Sequence, residues 1–514
     1  MKSNIAERAS RREVVAIALS IACSVFCMAA HAGKPEGTLH VAFDQALESI
    51  DPYFNNVRVG VIIAANVWDT LLYRDPATQQ YKGLLAKSWK RINDRTLEFE
   101  LREGVKFHNG EEFDADSVVY TLNFIANPGN KVVTQTNVNW IERAEKLGKH
   151  KVRLISKKVF PAALEYLAGP IVFHPAKYYA DADARSPGAN PVGTGPYKVV
   201  QSVPGKSITL ERNDDYFEGS PKGRPQIARI EIRFIPDRQA QIAEVLAGNL
   251  NLITNVPRDQ AEHVVELPQL QLVSSETMRI AFMQFNELDG SPAKQLKDVR
   301  VRKALSYAID REGIARHLVG AGSRVIHSIC FPSQFGCTDE GVPRYAYDPG
   351  KARRLLAEAG YPNGFEIEIM AYRDRAQAEA IISNLAAVGV KARLSFAQYA
   401  AMRDAVRANK ASLTHYTWGS FSINDVSAST PAFFGFEGDD LARDPEVRNL
   451  LDKGNNSVDP QTRKEAYKSA LSLIAGRAHA LPLWSLPAYY VASKDLAFRT
   501  YPDEVLRFWE MNWK

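Results

Sequence analysis

Two clusters of residues invite a chemical reading. VGTGPYKVV, residues 192–200, spaces Gly193 and Gly195 as a phosphate-binding loop would. Such loops aim successive backbone N–H groups at an anion from the start of a helix. Pro196 follows and has no N–H to give. The next residues, YKVVQSVPGKSITLERND, alternate apolar and polar, with Pro204-Gly205 placed for a type II turn. This predicts a β-hairpin without the helix or the lysine that phosphate binding needs. The glycines are then read as letting the chain bend into a sheet. The second cluster is Cys330 and Cys337, inside HSICFPSQFGCTDEGVP. In an oxidising compartment their spacing predicts a disulfide; otherwise they are two loop thiols. No further cysteine or paired histidine stands beside them to hold a metal.

Other chemistry is missing from the chain. There is no G-x-S-x-G elbow, H-E-x-x-H helix, C-x-x-C pair or complete G-x-G-x-x-G. The ten histidines are scattered, and His108, His174 and His415 read as structural. The chain is expected to be no enzyme and to carry no cofactor or metal.

The ends and the composition set the compartment and the scale. Arg8, Arg11 and Arg12 precede the apolar run VVAIALSIACSVFCMAA, and A-H-A at 30–32 offers a small-x-small cleavage site. Residues 1–32 are therefore read as a cleavable export signal. A general secretory signal is favoured over a twin-arginine one, although S-R-R-E-V-V partly resembles the latter. A retained anchor is the alternative. The segment carries four basic and two acidic residues, so cleavage lowers the formal charge from +5 to +3, with no strong field for nucleic acid. What remains is too long for one core and implies two or three domains.

The elements that must carry a site follow from periodicity and caps. GTLHVAF and IARIEIRF read as strands, and apolar spacing from Val61 through Leu72 reads as a helix. LAKSWKRINDRTLEFELREGVKFHNG reads as a strand pair turning at Asn93-Asp94, with a second turn at Asn109-Gly110 and a helix capped by Asp114 after it. Asp348-Pro349, Asp444-Pro445 and Asp459-Pro460 each place a capping carboxylate before an N1 proline, with Gly360, Gly454 and Gly476 as the stops. Helices alternate with strand-like FEIEIMAY and VKARLSFA, which predicts mixed α/β packing.

These blocks together resemble the dipeptide- and oligopeptide-binding family of periplasmic solute-binding proteins of ABC importers, family 5. LAKSWKRINDRTLEFELREGVKFHNGEEFDADSVVYTL is similar to the family's signature block, with Leu84 where proline is usual. Pro191 and VGTGPYKV resemble its P-x-G-T-G-P-[FY], and VRVRKALSYAIDREGI with YDPGKARRLLAEAGYPNGF resembles two later blocks in the same order. The resemblance implies an α/β, two-lobed periplasmic binding protein fold of the class II type with an extra domain inserted in the first lobe. Domain I would comprise 33–75, 190–285 and 485–514, domain II 76–189 and domain III 286–484. It also implies a monomeric, exported receptor that passes a small-molecule or peptide ligand to a membrane-embedded ABC permease.

The family further implies where the ligand sits. Peptide binders hold the α-ammonium with an aspartate of domain III, and HYTWGSFSINDVSASTPAFF resembles that region, so Asp425 is the matching carboxylate. The family pattern W-x-x-D-x-x-D-P is altered here: Asp425 lies seven residues after Trp418, Val426 replaces proline, and the first acid is lost within G-S-F-S. The alternative for Asp425 is a cap for the segment after it. Trp418 and Phe421 are candidate pocket walls, or core. Arg373 and Arg375 lie where a ligand carboxylate is gripped, or on a solvated helix. Tyr53 and Asn55 follow the first strand at a loop expected to face the cleft. The cargo is expected to be a short peptide or peptide-like zwitterion, with an opine-like conjugate, oligosaccharide, metal complex or haem as the alternative.

Overall fold

The computed structural model describes residues 37–514 other than 48, 56, 182–187 and 189, so the proposed signal segment lies outside the described residues. Its centre is one sheet of ten strands. From one edge to the other these are Lys391–Phe396, Glu366–Ala371, Leu413–Trp418, Leu270–Phe285, Ala480–Ser493, Leu252–Ile253, Thr38–Phe43, Arg229–Phe234, Ser207–Arg212 and Tyr197–Val203. Where helices intervene in sequence, neighbours run parallel: Thr38–Phe43 with Arg229–Phe234 and Leu252–Ile253, and Glu366–Ala371 with Lys391–Phe396 and Leu413–Trp418. Parallel pairing needs such crossovers.

The two longest strands, Leu270–Phe285 and Ala480–Ser493, pair antiparallel and belong to both halves of the molecule. At one end Leu252–Ile253 continues the sheet toward lobe 1; at the other Leu413–Trp418 continues it into lobe 2. Their register slips between Glu276 and Ile280. There Met278 N–H donates to the Pro502 carbonyl at 2.7 Å and Arg279 N–H to Thr277 Oγ1 at 3.2 Å, so the backbone is satisfied without a ladder partner. This bulge is where one lobe passes into the other.

Side-chain alternation in lobe 2 divides its core in two: Ala281, Met283 and Phe285 face one cluster, while Ile280 and Phe282 face the other. In lobe 1 the apolar residues Leu39, Val41 and Phe43 join helix Arg58–Val67 and the extra domain in one continuous core. That domain is a four-stranded antiparallel sheet, in the order Ala86–Asn93, Thr96–Leu101, Lys151–Ser156, Ile141–Gly148. Its helix Ala115–Ala126 is capped by Asp114, whose side chain accepts from Asp116 and Ser117 N–H. Sharing a core fixes the extra domain to lobe 1.

The local expectations fare unevenly. The hairpin forms, with Gly205 at φ 71°. Asp348, Asp444 and Asp459 each cap a helix that starts at proline. The helix expected through Leu72 stops at Val67, because Gly195 N–H takes the Val67 carbonyl at 2.9 Å. This also corrects the reason for the glycines: a Cβ on Gly193 would lie 2.0 Å from the Val67 oxygen, so close approach excludes a side chain. Gly454 is no stop either. It lies within helix Pro445–Asn455, where a Cβ would meet the Tyr467 ring at 2.6 Å. Gly476 is the last residue of helix Pro460–Gly476.

Candidate functional site

The strand leading into the cleft from lobe 2, Leu413–Trp418, ends in a tongue of three consecutive left-handed residues: Ser420, Phe421 and Ser422, at φ 47°, 50° and 65°. Non-glycine residues in that region are strained, of order 1–2 kcal/mol each, and persist only where surroundings hold them. The surroundings come from both lobes. Arg58 Nη1 donates to Ser422 Oγ at 2.7 Å and to the Asp503 carbonyl at 3.1 Å. Ile423 is buried in the core shared by lobe 1 and the extra domain. Asn424 N–H donates to Glu165 Oε1 at 2.8 Å, and its side-chain amide to Gln79 Oε1 at 2.8 Å. Glu165 is itself held by Arg74 at 3.1 Å and the Tyr81 hydroxyl at 2.8 Å, and burial pushes its carboxyl above the ordinary range.

The disulfide braces the tongue from behind. Cys330 and Cys337 are joined, with their Cα atoms 5.8 Å apart. Within the loop they close, Gln334 Nε2 donates to the Ile423 carbonyl at 2.9 Å, Phe335 N–H to the Asn424 carbonyl at 2.9 Å, and Ser333 Oγ to Asn424 Oδ1 at 3.1 Å.

Two cavities flank this bridge. The first, about 230 Å³, is lined by Trp68, Tyr73, Val133, Val172, Trp509 and Phe421 among others. Its charged groups are already paired: Arg507 with Asp503 at 2.6 Å, Arg74 with Glu165 at 3.1 Å, and Lys222 with Asp69, which lies outside the lining, at 2.7 Å. The second, about 710 Å³, opens beyond the carboxyl ends of Thr38–Phe43 and Leu252–Ile253 on lobe 1, and its lobe 2 wall includes Arg373 and Tyr399. Open α/β sheets bind ligands at such strand ends. Arg58, Arg279 and Arg373 line it against Asp44 and Glu504.

The predicted site residues divide accordingly. Phe421, 58 % exposed, and Asn55 line the smaller cavity, and Arg373 lines the larger. Arg373 also pairs with its neighbour Asp374 at 2.9 Å, and the Asn55 amide donates to the Asp51 carbonyl at 2.9 Å.

Four expectations are corrected. Tyr53 is only 1 % exposed, with its hydroxyl donating to the Val172 carbonyl at 2.6 Å, so it packs beneath the cleft instead of facing it. Arg375 starts helix Arg375–Ala386 outside both cavities, its exposed side chain paired with Glu379 at 3.2 Å and lying over the Phe396 ring. Trp418 borders neither cavity; its indole N–H donates to the Ala428 carbonyl at 3.3 Å and its rings meet Phe421 and Phe433 edge-on. Asp425 needs no ligand cation. Arg463 Nη2 reaches both its oxygens, at 2.8 and 2.9 Å, with both side chains buried, and its Oδ1 also accepts from Ser427 N–H as the cap of Val426–Ala428. Arg463, four residues into a capped helix, carried no signal of this role beyond its basic type.

Arg279 was missed as well. Burial lowers its affinity for a proton, yet its guanidinium has no hydrogen bond or ion pair among the described residues. Glu504, the carboxylate acting on it most strongly, is paired with Arg58 at 3.2 Å. The signal available in sequence is a lone charge within a mostly apolar strand segment, MRIAFMQF.

Two α/β lobes bridged by a long strand pair, with cavities lined by them and an extra domain fused to the first, are the architecture of a solute-binding protein. Residues 80–440 match the family described as "Bacterial extracellular solute-binding proteins, family 5 Middle", and the chain belongs to that family. It is similar to the glutathione-binding protein GsiB of Salmonella paratyphi A, 26 % identical over 509 residues that cover 96 % of this chain and 97 % of the relative. Among solved structures it resembles AgaA of A. tumefaciens R10 in complex with agropinic acid, 25 % identical with a TM-score of 0.71, covering 93 % of this chain and 99 % of that one. It also resembles a dipeptide-binding protein of Pseudoalteromonas sp. SM9913 in complex with Met-Leu, 22 % identical with a TM-score of 0.74, covering 93 % and 100 %. The chain is a binding protein of ABC import, not an enzyme. Among the described residues no helix is long and apolar enough to cross a membrane.

Proposed function

We propose that this protein is exported to the periplasm by cleavage of its first 32 residues, captures a short peptide or peptide-like zwitterion between its lobes, and delivers it to an ABC permease. The observation that carries this reading is the 710 Å³ polar cavity at the strand ends, lined from both lobes. A solute that contacts both walls only when they meet shifts the population toward the closed form. Glutathione is the first cargo to test, because GsiB relatives bear that name and a peptide with two carboxylates and one ammonium suits three arginines set against two acids. At 100 times its Kd a cargo stabilises the fold by about 2.7 kcal/mol. Thermal melts with reduced glutathione and with dipeptides should therefore show an upward shift, and mass spectrometry of solute released on denaturation should recover an amine-bearing peptide. Melts indifferent to every peptide, with a neutral glycan recovered instead, would refute the cargo.

A second reading keeps the receptor and exchanges the cargo for an opine-like conjugate. The pairing of Asp425 with Arg463 favours it, since the α-ammonium of a peptide then loses its expected carboxylate. A melting shift with agropinic acid and none with peptides would decide for it.

A further inference from the structure

We infer that Arg279, at the bulge where the long strand passes between the lobes, grips a carboxylate of the cargo and makes the hinge itself the anion-binding point; this rests on the receptor reading above. Four observations lead there. The guanidinium borders the larger cavity and is partly buried. It is without a hydrogen bond or ion pair among the described residues, whereas Arg58, Arg373 and Arg463 all have one. Arg58 and Arg373 add like charge beside it, and Glu504 is occupied by Arg58. An arginine so placed has water as its partner in the empty cavity and gains a charge-assisted partner once an anion arrives. A planar fork also suits a carboxylate better than an ammonium would.

The position adds a mechanical consequence. Thr277, Met278 and Arg279 lie in the register gap between Glu276 and Ile280, where the strand has no regular ladder partner. The would-be Cβ of Gly419 lies 3.2 Å from Arg279 Nη2, so the guanidinium rests against the base of the tongue. An anion held there touches the hinge strand and, through Gly419, the segment that docks on lobe 1. Charge recognition and closure thus share one residue.

The test uses Arg279→Met and Arg279→Lys in the full exported protein, with two measurements. Without added solute, Arg279→Met should melt close to wild type, because the guanidinium holds no hydrogen-bond or ion-pair partner among the described residues. A fall of more than about 5 °C, the expected effect of losing 1–2 kcal/mol in a unit of this kind, would show that Arg279 braces the fold and would overturn the inference. The second measurement titrates reduced glutathione, Met-Leu and agropinic acid, all carrying carboxylates, and maltotriose, which carries none. Every carboxylate probe that binds wild type should bind Arg279→Met at least 100-fold more weakly and Arg279→Lys roughly 10-fold more weakly. Undiminished binding to Arg279→Met would sink the hinge grip while leaving the receptor standing. Binding of maltotriose with no response to any carboxylate would do the same. Absence of response to all four probes also counts against the inference, and it then removes the peptide and opine cargoes together.

Discussion

The sharpest discriminating perturbation is at Asp425. Its carboxylate and Arg463 are about 5 % exposed and meet through two short N–H···O contacts, at 2.8 and 2.9 Å. Arg463→Met keeps much of the volume and the packing over Phe335, at 4.5 Å, but strands the carboxylate with Ser427 as its remaining donor. Removing one member of such a pair costs about 3–5 kcal/mol, much of it the penalty of the orphaned charge. At about 2–4 °C per kcal/mol for a cooperative unit of 150–250 residues, the transition containing lobe 2 should fall by about 6–20 °C. Asp425→Asn should also destabilise the unliganded protein. The double variant, with neither charge, should recover much of the loss, giving a coupling of about 1–3 kcal/mol. Scanning calorimetry without and with cargo is the assay. The reasoning fails if Asp425→Asn leaves the unliganded melting point within about 2 °C of wild type yet abolishes binding, since the carboxylate would then be serving a ligand ammonium.

Opening the Cys330–Cys337 loop of eight residues should cost about 2.5 kcal/mol by chain entropy; because that loop holds the tongue, the Cys330→Ser/Cys337→Ser protein should also show faster amide exchange at Ile423 and Asn424. Half-buried His108 and fully buried His415 are each pushed down to about 4, chiefly by desolvation. The unfolded chain therefore takes up protons that the native state refuses, and urea melts should show stability present at neutral pH and lost as pH falls from about 6.5 to about 4, with up to about 3 kcal/mol per histidine; a flat profile over that window would contradict the burial. Gly193→Ala places a Cβ 2.0 Å from backbone oxygen and should destabilise by about 1–3 kcal/mol or more; an unchanged melt would mean that the contact with helix Arg58–Val67 is looser than described.

The α/β architecture was legible because strand alternation and aspartate–proline caps act over a few residues: Asp348, Asp444 and Asp459 needed no knowledge of distant partners. The space that Gly193 and Gly195 need is set by Val67, more than a hundred residues earlier, which local spacing does not show. The same distance hid the role of Asp425, whose charge is balanced by Arg463 from another helix. Tyr53 was placed on the right loop but the wrong side of it, because whether a tyrosine faces a cleft or Val172 depends on the extra domain packing beneath. Phe421, Asn55 and Arg373 do border cavities, yet spacing alone could not separate Arg373 from Arg375. Arg279 shows in sequence only as a lone arginine in a strand; what marks it, the lack of a partner, depends on side chains distant in the chain.

Placing Ala480–Ser493 between Leu270–Phe285 and Leu252–Ile253 has a consequence for how the molecule comes into being. Neither half can complete its share of the sheet until that late segment has emerged, because it fills the middle and not an edge. A chain threaded through a translocation pore would stay unfinished, with its central groove open, until almost all of it had crossed. The first moment at which the long strand pair exists is also the moment at which both halves can become native.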